Sequence, residues 1–300
     1  MSDKKTTEAE GTVQNDSSST NKHGMKTICI GFVIIFFVII IFFFIISTYS
    51  WVRTSDSKGD IKGMREAAEK GNPKAQFNLG LMYAHGQGVA KDETEAVRWF
   101  RKAAEQGLAP AQNDLGVMYQ NGLGVVKNEE EAVKWYRKAA EQGYPDAQFN
   151  LGMMYADGQG VAKDETEAVR WFRKAAKQGL AVAQNNLGLR YVHGQGIAKD
   201  ETEAVRWFRE AAEQGLDVAQ NNLGVMYAKG QGVVKNEKEA VKWFRKAAEQ
   251  GYSDAQNHLG VRYAKGWGVA KDEAEAVKWF RKAAEQGNPE AKKNLRELGY

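Results

Sequence analysis

Hydrophobic and polar positions repeat with a constant period along most of this chain. From Gly71 to Gln286 the sequence consists of six 36-residue units, which span residues 71–106, 107–142, 143–178, 179–214, 215–250 and 251–286. No residue is gained or lost between units, so one supersecondary structure has been stacked repeatedly. Such an array keeps only nearest-neighbour contacts, and we therefore predict a single folded region from these units.

Each unit shows the pattern of two helices. In the first unit Ala75, Leu79, Met82 and Tyr83 lie at i, i+4, i+7 and i+8, the spacing of one helical face, and we call this segment helix A. A Gly-x-Gly sequence then interrupts the pattern. Asp92 provides the N-cap of a second amphipathic segment, helix B, which ends at the glycine that opens the next unit.

Two further residues of the unit predict how the helices pack. Gly80 and its equivalents lie in the middle of helix A, although glycine costs about 1 kcal/mol there relative to alanine. We expect this glycine to allow helix B to approach closely. Helix B contributes a tryptophan, which we expect to form a core ladder between units. The tryptophans are Trp99, Trp135, Trp171, Trp207, Trp243 and Trp279.

Both ends of the array resemble half units. Residues 61–70 match a helix B in which Gly63 and Met64 replace the Trp-Phe pair. Residues 287–300 match a single helix A in which Lys292 and Arg296 replace glutamine and glycine. Polar terminal units keep a solenoid soluble, so these segments are expected to be caps, and the predicted repeat domain covers residues 61–300.

An apolar run precedes the repeats. Residues 28–46 are 19 residues without a charge or a strongly polar group, close to the roughly 20 that a helix needs to cross a bilayer. The sequence predicts a signal anchor over 27–47, a disordered Ser/Thr-rich tail over 1–26 and a linker over 48–60. A signal peptide cleaved after Ser50 is the alternative, but the interfacial aromatics Tyr49 and Trp51 favour retention. The flanking Lys and Arg residues do not decide the orientation.

Charge and cysteine content exclude several classes of site. The net charge is +4, with 42 basic and 38 acidic residues interspersed along the units, which does not match the clustered basic stripe of a nucleic-acid-binding protein. The only cysteine, Cys29, lies in the apolar run. Neither disulfides nor a thiolate metal site are therefore expected in the repeats.

The repeated motif A-x-x-x-L-G-x-x-Y-x-x-G-x-G-V, followed by D-x-x-E-A-V-x-W-F-x-x-A-A, resembles the Sel1-like repeat family, which is related to tetratricopeptide repeats. The residues of the first unit that carry the resemblance are Ala75, Leu79, Gly80, Tyr83, Gly86, Gly88, Val89, Ala96, Trp99, Phe100 and Ala103. The resemblance covers residues 61–300. It implies an all-α fold, an α/α solenoid in which A helices line the concave surface and B helices lie outside.

The resemblance also implies a function. Sel1-like proteins act as adaptors that assemble membrane-associated complexes, and many are exported. A few disulfide-rich bacterial members are linked to β-lactam binding or hydrolysis. This chain has no cysteine in its repeats, which argues against that activity.

No group of residues predicts a catalytic, cofactor or metal site. His85 and His193 occupy equivalent positions three units apart, about 30 Å at the usual spacing of helix layers, too far to share a metal ion. Glu93 and Glu95 recur at the start of each helix B, where capping and the helix dipole explain them. We therefore expect a protein that is not an enzyme and that binds no cofactor, metal or nucleic acid.

Positions that vary between units predict where a partner binds, because the invariant ones serve stacking. The variable stripe of helix A corresponds to Phe77, Leu81 and His85 of the first unit, and it keeps an apolar residue at its centre. Arg190 and Arg262 stand where other units have Met, either snorkelling or binding a partner. The candidate partner-binding residues are Phe77, His85, Asn113, Phe149, Asp157, Asn185, Arg190, His193, Asn221, Lys229, Asn257, Arg262 and Lys265.

The sequence therefore predicts a single-pass, membrane-anchored scaffold that binds a protein or peptide segment along its concave face. By likeness to the family, the repeats are expected outside the cytoplasm, in the periplasm if the source is bacterial. Two alternatives remain at this point. One is an envelope enzyme or a binder of cell-wall or β-lactam-type ligands, and the other is a structural repeat protein that self-associates.

Overall fold

The computed structural model describes residues 61–300, and every regular element in this range is a helix. The helices of type A are α2 (Pro73–His85), α4 (Ala109–Asn121), α6 (Pro145–Asp157), α8 (Ala181–His193), α10 (Asp217–Lys229), α12 (Ser253–Lys265) and α14 (Pro289–Glu297). The helices of type B are α1 (61–69), α3 (Glu93–Glu105), α5 (Glu129–Glu141), α7 (Glu165–Lys177), α9 (Glu201–Glu213), α11 (Glu237–Glu249) and α13 (Glu273–Glu285). The predicted all-helical solenoid is confirmed for this part of the chain.

The predicted tail over 1–26, the membrane helix over 27–47 and the linker over 48–60 lie outside the described residues. Within residues 61–300, no helix combines the length and the apolar character needed to cross a bilayer.

The predicted helix boundaries follow from local capping. Asp92 Oδ1 accepts hydrogen bonds from the backbone N–H groups of Thr94 and Glu95, each at 3.0 Å. This satisfies two of the N–H groups that a helix start leaves unpaired. Helix α2 ends at Gly86, whose φ of 69° is left-handed, a conformation that glycine adopts without steric cost. The predicted caps are therefore confirmed.

Each A helix from α4 to α12 packs against the B helix of its own unit and the B helix of the unit before it. Within a unit, a Cβ at Gly80 would lie 2.6 Å from the Phe100 ring, so the mid-helix glycine does permit the predicted close approach. Between units, Trp171 joins a core formed by α5 and α6. The tryptophan therefore spans the junction between two units, which confirms the predicted core ladder.

The second glycine of each loop also holds neighbouring units together. A Cβ on Gly196 would collide with the backbone carbonyl of Glu165, the first residue of the preceding unit's helix B. The same collision recurs one unit apart along the array. The other glycines in this position are Gly124, Gly160, Gly232 and Gly268. The loop therefore packs directly on a helix start, and no side chain fits there.

A ladder of buried glutamines, which the sequence analysis did not recognise, links the units further. Gln148 is 4% exposed. Its Nε2 donates to the carbonyl of Ala140 in the preceding unit at 3.1 Å, and its Oε1 accepts from Gln178 Nε2 at 2.8 Å. The buried glutamines of this ladder are Gln76, Gln112, Gln148, Gln184, Gln220 and Gln256. Each buried amide thus has hydrogen-bond partners in the stack, as buried polar groups require.

Candidate functional site

Four asparagines of the predicted binding stripe are buried in the stack. Asn113, Asn185, Asn221 and Asn257 are between 5% and 8% exposed. The Oδ1 atoms of three of them accept from an asparagine Nδ2 of the next unit, and that of Asn221 faces His258 Nδ1. The pairs are Asn150 with Asn113 at 3.0 Å, Asn222 with Asn185 at 2.9 Å, His258 with Asn221 at 2.8 Å and Asn294 with Asn257 at 2.9 Å. Their predicted exposure is therefore wrong, because the following helix covers them.

Phe77 and Phe149 fill the same slot where the asparagine is missing. Both are half-buried, and each ring packs on the helix B phenylalanine of its own unit, Phe100 or Phe172, at a centroid distance of 5.7 Å. The two rings thus extend the core to the surface of the A helices.

Arg190 and Arg262 form ion pairs with the preceding unit. Arg190 Nη1 lies 2.6 Å from a carboxylate oxygen of Glu165, and Arg262 Nη1 lies 3.2 Å from Glu237. Their side chains are only 13% and 11% exposed, respectively. Each guanidinium therefore lies at the edge of a unit junction, with a counter-charge from the start of a B helix.

The remaining candidates are exposed and share one position. His85, Asp157, His193, Lys229 and Lys265 are each the last residue of an A helix. They line one edge of the surface that we call the A-helix face, formed by the positions equivalent to Phe77, Leu81 and His85. Their chemistry changes from unit to unit while the buried positions stay constant.

Two cavities open on the A-helix face at equivalent unit junctions. One, of about 440 Å³, lies between α2 and α4 and is lined by apolar residues such as Leu81 and Leu123, with Lys91, Glu93 and Asp114. With histidine counted as neutral, its formal charge is −1. The other, of about 780 Å³, lies four units further on, between α10 and α12.

The second cavity has the opposite charge. Its charged residues are Lys229, Lys235, Arg262 and Glu237, which give a formal charge of +2. Trp267 replaces the leucine of the first cavity and is 48% exposed. The same framework therefore presents a cavity of net negative charge near one end of the array and a cavity of net positive charge with an exposed tryptophan near the other.

Asp114 is one of the two acidic residues that line the first cavity. Burial raises the pKa of its carboxyl, and the charge of Asp146 adds to this effect. The side chain of Asn113, which donates to Asp114 Oδ1 at 3.0 Å, and the nearby His85 act in the opposite direction. The ionised carboxylate is thus held at a cost in a partly buried position.

We expect Asp114→Asn to stabilise the repeat domain at neutral pH, because asparagine fills this position in units one, three, four and five. A carboxyl with a raised folded-state pKa contributes stability at low pH and loses it as the pH rises through that pKa. The advantage of the variant should therefore disappear below about pH 4, where the carboxyl is protonated in both states. Denaturant unfolding of both proteins at several pH values measures the difference. An advantage of equal size at all pH values would contradict this account.

His258 forms the floor of the second cavity. Its Nδ1 lies 2.8 Å from Asn221 Oδ1, and its ring packs against that of Phe244, tilted by 37° at a centroid distance of 4.9 Å. Burial is the main cause that lowers the pKa of His258, and Arg262 acts in the same direction. The ring is therefore neutral at pH 7, and its Nδ1–H donates to the side-chain oxygen Oδ1 of Asn221. His258 was not among the predicted site residues, although it replaces the asparagine that four of the other units have at this position.

Within residues 61–300, the structure groups no three His, Cys, Asp or Glu side chains closely enough to hold a metal ion. His85, His193 and His258 belong to three different A helices. The arrangement on the A-helix face is instead one of separate charged and aromatic side chains around shallow cavities, which suits recognition of an extended ligand.

Comparison with known proteins agrees with the fold. The Sel1 repeat family matches six consecutive segments, at residues 73–108, 109–144, 145–180, 181–216, 217–252 and 253–288. Because these segments cover well over half of the sequence, the chain belongs to the Sel1 repeat family. No curated protein matches this sequence.

The solved structures that are similar to this chain include two Sel1-repeat proteins with identities of 39% or more. A protective antigen present in uropathogenic Escherichia coli strains, displaying an SLR fold, is 44% identical with a TM-score of 0.75, and the match covers 78% of this chain and 50% of the antigen. A Sel1 repeat protein from Oxalobacter formigenes is 39% identical with a TM-score of 0.68, over 75% of this chain and 99% of that protein. This chain thus matches half the length of the antigen. Sel1 repeats generally form scaffolds for protein–protein interaction.

Proposed function

We propose that this protein is a non-catalytic scaffold that binds a protein or peptide segment along its A-helix face. The observation that carries the proposal is the pair of equivalent cavities with opposite charge. Stacking alone requires neither the two cavities nor their different chemistry, since the buried positions are nearly identical in every unit. A ligand that crosses several units would contact both.

Apolar surface supports the same proposal. Leu81, Val117, Val225 and Val261 are partly exposed positions of the A helices and lie beside the charged ends of these helices. Interfaces with a few apolar anchors and flanking charged groups are typical of peptide recognition by helical surfaces. Affinity is therefore expected to come from a small number of these positions.

Affinity capture from gently solubilised membranes tests the proposal. The native chain is compared with His85→Ala/His193→Ala/Lys229→Ala, which changes exposed residues of the A-helix face without touching the core. A matched control, Arg98→Ala/Arg170→Ala/Lys242→Ala, changes exposed residues of the B helices. We expect a protein captured by the native chain and the control to be reduced about tenfold or more with the A-helix variant. Equal capture by all three chains would overturn the proposal.

We also propose that residues 28–46 anchor the chain in a membrane, with the tail in the cytoplasm and the repeats on the other side, in the periplasm of a bacterial cell. The support is the uncharged 19-residue run in the sequence. Deletion of residues 27–47 should move the chain out of the membrane fraction. In the native chain the repeats should be cleaved by protease added to the outer side of the membrane. Protection of the repeats would place them in the cytoplasm instead.

A further inference from the structure

The cavity between α10 and α12 contains an arginine whose hydrogen-bonding capacity is incompletely used. Arg262 Nη1 lies 3.2 Å from Glu237 Oε2, within the distance of an ion pair but without the alignment of a hydrogen bond. Arg262 Nε also has no hydrogen-bond partner, and both Nε and Oε2 are buried. Glu237 is also shared with Lys235, whose Nζ lies 3.3 Å away. An unpaired donor in a charged, buried group is costly, and a ligand carboxylate at the part of Arg262 that lines the cavity would offset that cost.

The equivalent arginine two units earlier provides an internal comparison. Arg190 Nη1 bonds to Glu165 at 2.6 Å and to Gln195 Oε1 at 3.0 Å. In the α10–α12 cavity the position of Gln195 is taken by Trp267, whose indole offers no acceptor. Arg190 therefore has two hydrogen-bond acceptors. The equivalent Arg262 has only Glu237, and that contact is not aligned as a hydrogen bond.

Aromatic rings flank this guanidinium. The Arg262 Cζ atom lies 5.4 Å from the centroid of Phe244 and 5.2 Å from the centroid of Trp267. Burial lowers the pKa of Arg262 and Glu237 opposes this shift, so the site leaves its cation poorly solvated. Beside it, Val225 and Ala228 give the cavity an apolar wall. The site thus offers positive charge and apolar surface side by side.

We propose that the α10–α12 cavity binds an acidic residue of the partner segment, its carboxylate between Arg262 and Lys229 and an adjacent apolar or aromatic side chain against Trp267. The formal charge of +2 and the apolar wall together define this chemistry. A small inorganic anion would satisfy only the charge. This inference rests on the proposed function, since it specifies which kind of segment the A-helix face recognises.

Selection from a displayed library of random peptides on the detergent-solubilised full chain tests this inference. The key variant, Arg262→Met/Trp267→Gln, restores the residues that other units carry at these two positions, so its folding is expected to be preserved and is checked by circular dichroism. The control, Arg190→Met, makes the same change in the arginine that has two acceptors.

We expect the enriched peptides to contain an aspartate or glutamate beside an apolar residue. Their affinity should fall about tenfold or more with the key variant and with Lys229→Asn, but not with Arg190→Met. It should also fall as ionic strength rises.

The outcomes separate the inference from the proposed function. Peptides that are enriched without acidic residues, or that bind the key variant as tightly as the native chain, would leave the scaffold function standing and overturn the assignment of this cavity. A native chain that enriches no peptide at all would count against the scaffold function itself, and the inference would fail with it.

Discussion

Replacing Gly196 with alanine is expected to destabilise the repeat domain by about 3 kcal/mol or more. Gly196 has a φ of 67°, in the left-handed region where a Cβ costs about 1–2 kcal/mol. The added methyl group would also collide with the backbone carbonyl of Glu165 in the preceding unit. A backbone atom at a helix start has little freedom to move, so the two units would have to separate.

Gly215→Ala provides the control for this prediction. Its φ of 96° is also positive, but an added Cβ would meet no atom within 4 Å. This variant should lose only about 1–2 kcal/mol, the cost of the backbone conformation. Guanidinium unfolding followed by circular dichroism measures both, and the Gly196 variant should also unfold less cooperatively, because nearest-neighbour coupling is weakened at one junction. Equal losses for the two variants would show that the loop contact does not join the units.

The second large effect is expected from Glu165→Ala, at about 2–3 kcal/mol. The substitution leaves the nearly buried guanidinium of Arg190 with Gln195 as its remaining acceptor. Removing one partner of a buried ion pair is costly because the other charge stays in a poorly solvated place. Unfolding by guanidinium again measures the loss.

Two further variants separate the ion pair from the ordinary role of this glutamate. Glu201 has the same place at the start of the next B helix, and Met226 stands at the position equivalent to Arg190, so Glu201→Ala should cost less than 1 kcal/mol. Combining Glu165→Ala with Arg190→Met should recover most of the lost stability, since methionine fills this position in four other units. No recovery in the double variant would contradict the ion-pair explanation.

Much of the fold was predictable because it follows from local rules. Capping by Asp92, the helix stop at Gly86 and the close packing over Gly80 depend on residues near one another in sequence, and the structure confirms all three. The repetition then supplied the stacking, because two helices of one unit leave too much apolar surface exposed to be stable alone.

The burial of Asn113 and its equivalents was not predictable from one helical face. Helical periodicity shows which residues share a side of α4, but the donor that pairs with Asn113 is Asn150, 37 positions away in the next unit. The buried glutamines bond to partners 8 and 30 positions away, which the pattern of a single helical face does not show either. Sequence comparison between units gives a better signal in one case, because Gln120 and Tyr136 depart from the repeat together and are hydrogen-bonded at 2.7 Å.

The candidate site was only partly predictable for a related reason. Arg262, Lys229 and Trp267 were each visible as departures from the repeat, but they come from two A helices and a loop. Which departures meet in one cavity depends on the offset between successive units. The sequence alone therefore predicted Arg262 and Lys229 as binding residues without predicting that they surround one cavity together with Trp267 and His258.

Site-specific photo-crosslinking in cells tests the scaffold function most directly. A photoreactive amino acid is placed in the full chain at His193 or Lys229 on the A-helix face, and at Arg170 or Lys242 on the B helices as controls; all four positions are exposed. If the A-helix face is the binding surface, the two A-helix positions form adducts with another protein and the controls form none. Adducts from both surfaces alike, or adducts only with a second copy of this chain, would contradict it.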